Sequence, residues 1–133
     1  DKATFFDPHV SIGLVAAREM VRLARALPRS VALRMALMGN DERVGAQTAL
    51  RIGLVTEVVG EQQLWDRAHD IAACIAAKPP TATQGTVKAI WESLDKPYRA
   101  AMDQGLIYTR LGNPIAKAEL AERPIPKTKP RIR

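Results

Sequence analysis

Cysteine is nearly absent from this 133-residue chain. Cys74 is the only one, which excludes an internal disulfide and suits a reducing cytosol. Aromatic residues make up 5%, too few for the basic, aromatic-interleaved surface that stacks nucleic-acid bases. No run approaches ~18 consecutive apolar residues, so no membrane-spanning helix is expected. The opening residues, Asp1 and Lys2 before two phenylalanines, do not read as a secretory signal. Two histidines and one cysteine give no metal-ligand spacing, and G-x-S-x-G and phosphate-loop patterns are missing.

What is present is 47% hydrophobic and 26% charged, the composition of a soluble, helix-rich domain. Cys74 sits among Ala and Ile and reads as a buried structural thiol rather than a nucleophile. The formal charge of +6 is concentrated at one end. From Arg123 onward the chain carries Arg123, Lys127, Lys129, Arg131 and Arg133 and no acid, leaving the rest near neutral. Three prolines keep that tail extended. A solvated basic tail is the favoured reading, and a nucleic-acid binder would rest on the tail alone.

Read along the chain, Thr4-Phe5-Phe6 is strand-like, and Asp7-Pro8 stops it because a residue before proline is pushed out of the helical region. LVAAREMVRLARAL has an apolar stripe of helical period and ends at Pro28, after which Ser30 is placed to cap the next helix. That helix stops at Gly39-Asn40, and GAQTALRIG makes another that closes at Gly53. LVTEVV, bracketed by Gly53 and Gly60, reads as a second strand. A helix from Glu61 to about Ala77 turns Leu64, Trp65, Ala68, Ile71, Ala72 and Ile75 inward. A further helix starts at Thr81 or Thr83, another runs from Tyr98 to Gly112, and a last short one opens at Pro114. The expected fold is mostly α-helical with two short strands. Two isolated strands make no stable sheet, so they should complete one supplied from elsewhere.

ALMGNDERVGAQTALRIGLVTEVV, residues 36–59, resembles the hallmark segment of the crotonase family of enoyl-CoA hydratases and isomerases. The matching residues are Met38-Gly39, Ala46, Ala49, Gly53-Leu54-Val55 and Val58-Val59. IAACIAAKPPTATQGTVKAI, residues 71–90, resembles the helix, Pro-Pro break and Lys-containing helix that follow. The likeness runs from Ala3 to about Arg123 and is loose in the last thirty or so residues. It implies the C-terminal portion of a crotonase-like α/β fold, with the oxyanion amides, the first catalytic glutamate and most of the adenine groove lying upstream. Residues 1–60 would be the end of the core with a pocket-lining segment, 61–123 a helical region, and 124–133 a basic tail.

Family hydratases carry a Pro-Glu pair after a Phe-containing strand. Here Phe5 and Pro8 align, and His9 takes the place of that second glutamate. An imidazole accepts and returns a proton near neutral pH, so His9 is a candidate for proton transfer. Pocket lining and a plain structural histidine stay open beside it, and Asp7, two positions back on the same strand face, is the weaker catalytic candidate. The family's Gly-rich loop is replaced by LVAAREM after Gly13, which reshapes the acyl pocket. His69 reads as a surface or helix-packing residue.

The resemblance implies acyl-CoA thioester chemistry, hydratase- or isomerase-like, through an enolate held by backbone amides. The thioester is the substrate, and no cofactor is expected. Lys117, Arg123 and Lys127 are candidate contacts for the CoA phosphates, with a helix-end or solvated role as the bland alternative. Expected partners are an acyl-CoA, a trimeric or hexameric homo-oligomer or a missing N-terminal half, and neither nucleic acid nor membrane; a cytoplasmic location is expected. The chain alone should be inactive. A non-catalytic crotonase-like subunit or assembly partner is the other reading.

Overall fold

The computed structural model describes residues 1–125 and residue 130. They divide into two compact units that meet in sequence between Arg67 and Ala68. The described residues are mostly helical with two short strands, as expected, but those strands pair antiparallel with each other instead of standing apart.

In the first unit β1 (Thr4–Phe5) pairs with β2 (Val44–Gly45), Thr4 opposite Gly45 and Phe5 opposite Val44. The Arg43 guanidinium lies 3.7 Å from the Phe6 ring centroid and covers the exit of β1. The second strand is therefore not the one expected. Leu54 to Val59, β-branched and bracketed by glycines, has no strand partner among the described residues. Composition marked it as strand-like, but a strand forms only where a neighbour takes its amides, and β1 is paired with Val44 and Gly45.

α1 (Arg18–Ala26) and α2 (Arg29–Met38) follow. α1 begins four residues later than its apolar stripe, because residues 14–17 run outside the helix. Ser30 does not cap α2. Pro28, extended at ψ 132°, turns the chain two residues earlier than expected, and its carbonyl accepts the amides of Val31 and Ala32. Arg34 of α2 grips the Glu42 carboxylate through Nε and Nη2 at 2.6–3.0 Å and ties the helix to the lead-in of β2. That hydrogen bond holds the Glu42 carboxyl below its usual range and the Arg34 guanidinium above its own. α3 (Ala46–Arg51) ends at Gly53, whose φ of +79° lets Leu54 and Val55 donate back to the Ala49 carbonyl. The core of this unit is small and alanine-rich: Leu27, Ala32, Met35, Ala36, Ala46 and Ala49.

α4 (Leu64–Ala76) starts in the first unit and continues into the second. Arg67 donates to Glu57 at 2.9 Å. The face expected to turn inward is open: Leu64, Trp65, Ile71 and Ile75 are all exposed, and so is Cys74, contrary to the buried thiol read from its neighbours. The apolar period is real, but these side chains stay open to solvent.

In the second unit α5 (Pro80–Ser93) and α6 (Tyr98–Glu122) form a hairpin. The expected break at Pro114 does not occur, and α6 runs through it as one helix. An internal proline costs about 3 kcal/mol. Contacts to α5 on both sides of it keep the two halves in line: Tyr108 donates to Glu92 at 2.7 Å, Gln104 also bonds Glu92, and Thr81 donates to Glu119 from Oγ1 at 2.6 Å and from its amide at 3.1 Å. Ala116 is the one buried residue of α6.

Candidate active site

The candidate site grows from the end of β1. Pro8 disfavours the helical region for Asp7, and its own carbonyl accepts the Ser11 amide at 3.0 Å. The chain enters a 3-10 turn over His9–Ile12, closed by the Leu14 amide on the His9 carbonyl at 2.9 Å. Asp7 and His9 thus do not share a strand face as the alternation suggested, since β1 ends at Phe5. The turn brings them together instead. Asp7 Oδ1 accepts the His9 backbone N–H at 3.0 Å, and the ring Nδ1 lies 3.0 and 3.1 Å from the two carboxylate oxygens. The Asp7 side chain is 6% exposed and that of His9 30%. One partner is buried, and the other is reachable from outside.

A second turn, Gly39–Asp41, braces the first. Ser11 Oγ accepts the Asn40 amide at 2.8 Å. Gly39 is buried with φ +56°, and Ser11 Oγ occupies the space a Cβ would need. The sequence marks Gly39 as a helix end and as part of the crotonase-like segment; its seat beneath Ser11 depends on two segments 28 residues apart and leaves no local signal.

Val10 of the same turn joins Leu14, Val15, Met20, Leu33 and Ala36 in lining an apolar groove of about 320 Å³. Leu14, Val15 and Met20, from the segment that follows Gly13, thus supply part of its wall. The second unit holds the basic candidates. Lys117 is exposed on α6, and Arg123 is the exposed C-cap of that helix, six residues on and so not on the same helical face. Arg123 lines a recess of about 270 Å³ together with Lys78, Glu119 and Glu122. Lys127 lies outside the described residues. His69 is exposed on α4. Among the described residues, no three of His, Cys, Asp and Glu are placed to hold a metal ion.

Residues 1–117 match the family described as enoyl-CoA hydratase/isomerase, and the chain belongs to that family. It is similar to a crystal structure of an enoyl-CoA hydratase/isomerase from Mycobacterium paratuberculosis, with 44% identity and a TM-score of 0.82 over 94% of this chain and 51% of that one. Rat enoyl-CoA hydratase domain-containing protein 3, mitochondrial, is 47% identical over 77 residues, 58% of this chain and 25% of its own length. (E)-benzylidenesuccinyl-CoA hydratase of Thauera aromatica is 38% identical over 89 residues, 67% of this chain and 32% of that protein. The chain therefore spans a third or less of these two curated relatives and about half of the crystallised one. No helix among the described residues is long and apolar enough to cross a membrane.

Proposed function

We propose that this chain contributes the proton-transfer residue and part of the acyl groove to an enzyme that adds water to, or shifts the double bond of, an acyl-CoA thioester. The observation that carries the reading is His9: a half-exposed imidazole, at the position where the family pattern has a glutamate, on the turn that also lines the apolar groove. In hydration, the imidazole lone pair takes a proton from water as the water oxygen bonds to the β-carbon. The π pair moves onto the thioester as an enolate, which backbone amides upstream of these residues would hold. The imidazolium then returns the proton to the α-carbon, so that H and OH are added with nothing left over. In isomerisation the same nitrogen takes a proton from one carbon and delivers it to another. The acyl-CoA is substrate, and no cofactor is required.

Lys117, Arg123 and Lys127 are the cations proposed for the CoA phosphates, by Coulombic attraction that salt screens. The exposed Trp91, Met102, Leu106, Ile107 and Leu111 of α5 and α6 suit burial against another copy or the rest of the fold. The same exposure favours the second reading, a non-catalytic assembly partner. A reducing cytosol remains the proposed setting for an exposed thiol such as Cys74.

His9→Ala in the intact enzyme separates these readings. If His9 carries the proton, turnover falls roughly 10²–10⁴-fold while thioester binding largely survives. An unchanged rate makes His9 pocket lining, whereas an intact protein with no turnover on any enoyl thioester favours the assembly role.

A further inference from the structure

The proposed chemistry uses His9 and leaves Asp7 without a task, yet Asp7 is the one buried charged residue among those described. An Asx turn needs only one of its oxygens, accepting the amide two residues on. Oδ1 does that for the His9 N–H at 3.0 Å. The geometry goes further, because both oxygens also face the ring Nδ1, at 3.0 and 3.1 Å. A carboxylate is an acceptor only, so Nδ1 must be the donor. In the neutral ring that places the lone pair on Nε2.

We propose that Asp7 is a positioning residue that locks His9 in the Nδ1–H tautomer, aims Nε2 as the proton-accepting atom, and stabilises the imidazolium formed when Nε2 takes a proton. Burial matters here, since a charge-assisted hydrogen bond is stronger where water is excluded. The ring is also held by two contacts from one nitrogen to one carboxylate, so the imidazole does not have to be ordered at the moment of reaction. Asp-Pro-His builds this unit within three residues. Pro8 disfavours a helical Asp7, and the turn folds His9 back onto its carboxylate. A single ring held this way can take a proton and give it back, which is the work that the family resemblance divides between two carboxylates.

The tautomer arm of the test is independent of the functional reading, and the kinetic arm rests on it. Asp7→Asn keeps an oxygen for the His9 N–H and so preserves the turn, but it replaces the second oxygen by an N–H that faces Nδ1. In ¹⁵N-histidine-labelled wild-type chain above the imidazole titration, His9 should show Nδ1 protonated and Nε2 bare, with His69 assigned by its absence from a His69→Gln sample. In Asp7→Asn the Nε2–H form should gain. In the intact enzyme Asp7→Asn should lower kcat by ~10²-fold or more with KM little changed, the pattern expected of a wrong tautomer. An Nε2–H ring in the wild type overturns the proposal without any assay of activity. The expected tautomers with a wild-type kcat for Asp7→Asn, while His9→Ala is inactive, also overturn it and leave the function standing. Wild-type rates for both variants overturn the functional reading itself.

Discussion

Replacing Gly39 by alanine should do more damage than removing many larger side chains. Gly39 is buried, with φ +56° and ψ −126°, a region that L-residues other than glycine hardly enter. Forcing alanine there costs about 1–3 kcal/mol in backbone strain. The new Cβ would overlap Ser11 Oγ and press on Val10 Cγ2 at 3.2 Å. Ser11 must then move, and the hydrogen bond it accepts from Asn40 is lost, a further ~1 kcal/mol. Together these come to about 2–4 kcal/mol, a large part of the 5–15 kcal/mol typical of a whole domain. Urea unfolding followed by circular dichroism should show the midpoint falling by about 1 M or more. Gly85→Ala is the matched control. It lies inside α5 with nothing near its added Cβ, and should stabilise by about 0.5–1 kcal/mol. A Gly39→Ala midpoint within experimental scatter of the wild type would refute the account of how the His9 turn is braced.

Two further outcomes are expected. The Glu42 carboxyl is depressed in the folded chain by its hydrogen bond from Arg34, so its stabilisation is present above the unfolded carboxylate pKa and is lost as pH falls through the folded value; Glu42→Gln should flatten that acid limb in melts recorded against pH, and an identical limb would show the pair to be idle. Neutralising Lys117, Arg123 and Lys127 together in the intact enzyme should weaken CoA binding at low ionic strength and less so for a pantetheine thioester, which lacks the nucleotide phosphates; equal calorimetric affinity for both proteins at low salt would remove these cations from CoA recognition.

The helices and their stops were legible because their signals are local. Gly53 ends α3 with a positive φ, and Pro28 and the Pro79-Pro80 pair separate helices, since each acts through its own backbone. Errors arose wherever a partner distant in sequence decided the outcome. Val58 and Val59 carry strand propensity but have no strand pairing among the described residues, whereas Val44 and Gly45, with a weaker pattern, lie beside β1. Pro114 signals a break, and packing along α5 overrides it. The inner face read on α4 has the right period, yet Trp65 and Ile75 stand exposed, because burial depends on what packs against a helix and not on its own pattern.

The site divides in the same way. Sequence alone singled out His9, because one imidazole stands where the family pattern has a carboxylate, and it fixed the Asp-Pro step that ends the strand. Tertiary structure decided what those residues touch. The 3-10 turn, held by a buried glycine from a segment 28 residues further on, folds His9 onto the Asp7 carboxylate. Alternation along a chain tells which side a side chain takes while the strand lasts; once the backbone turns, only the contacts that brace the turn say where an imidazole points, and those contacts come from residues far apart in sequence.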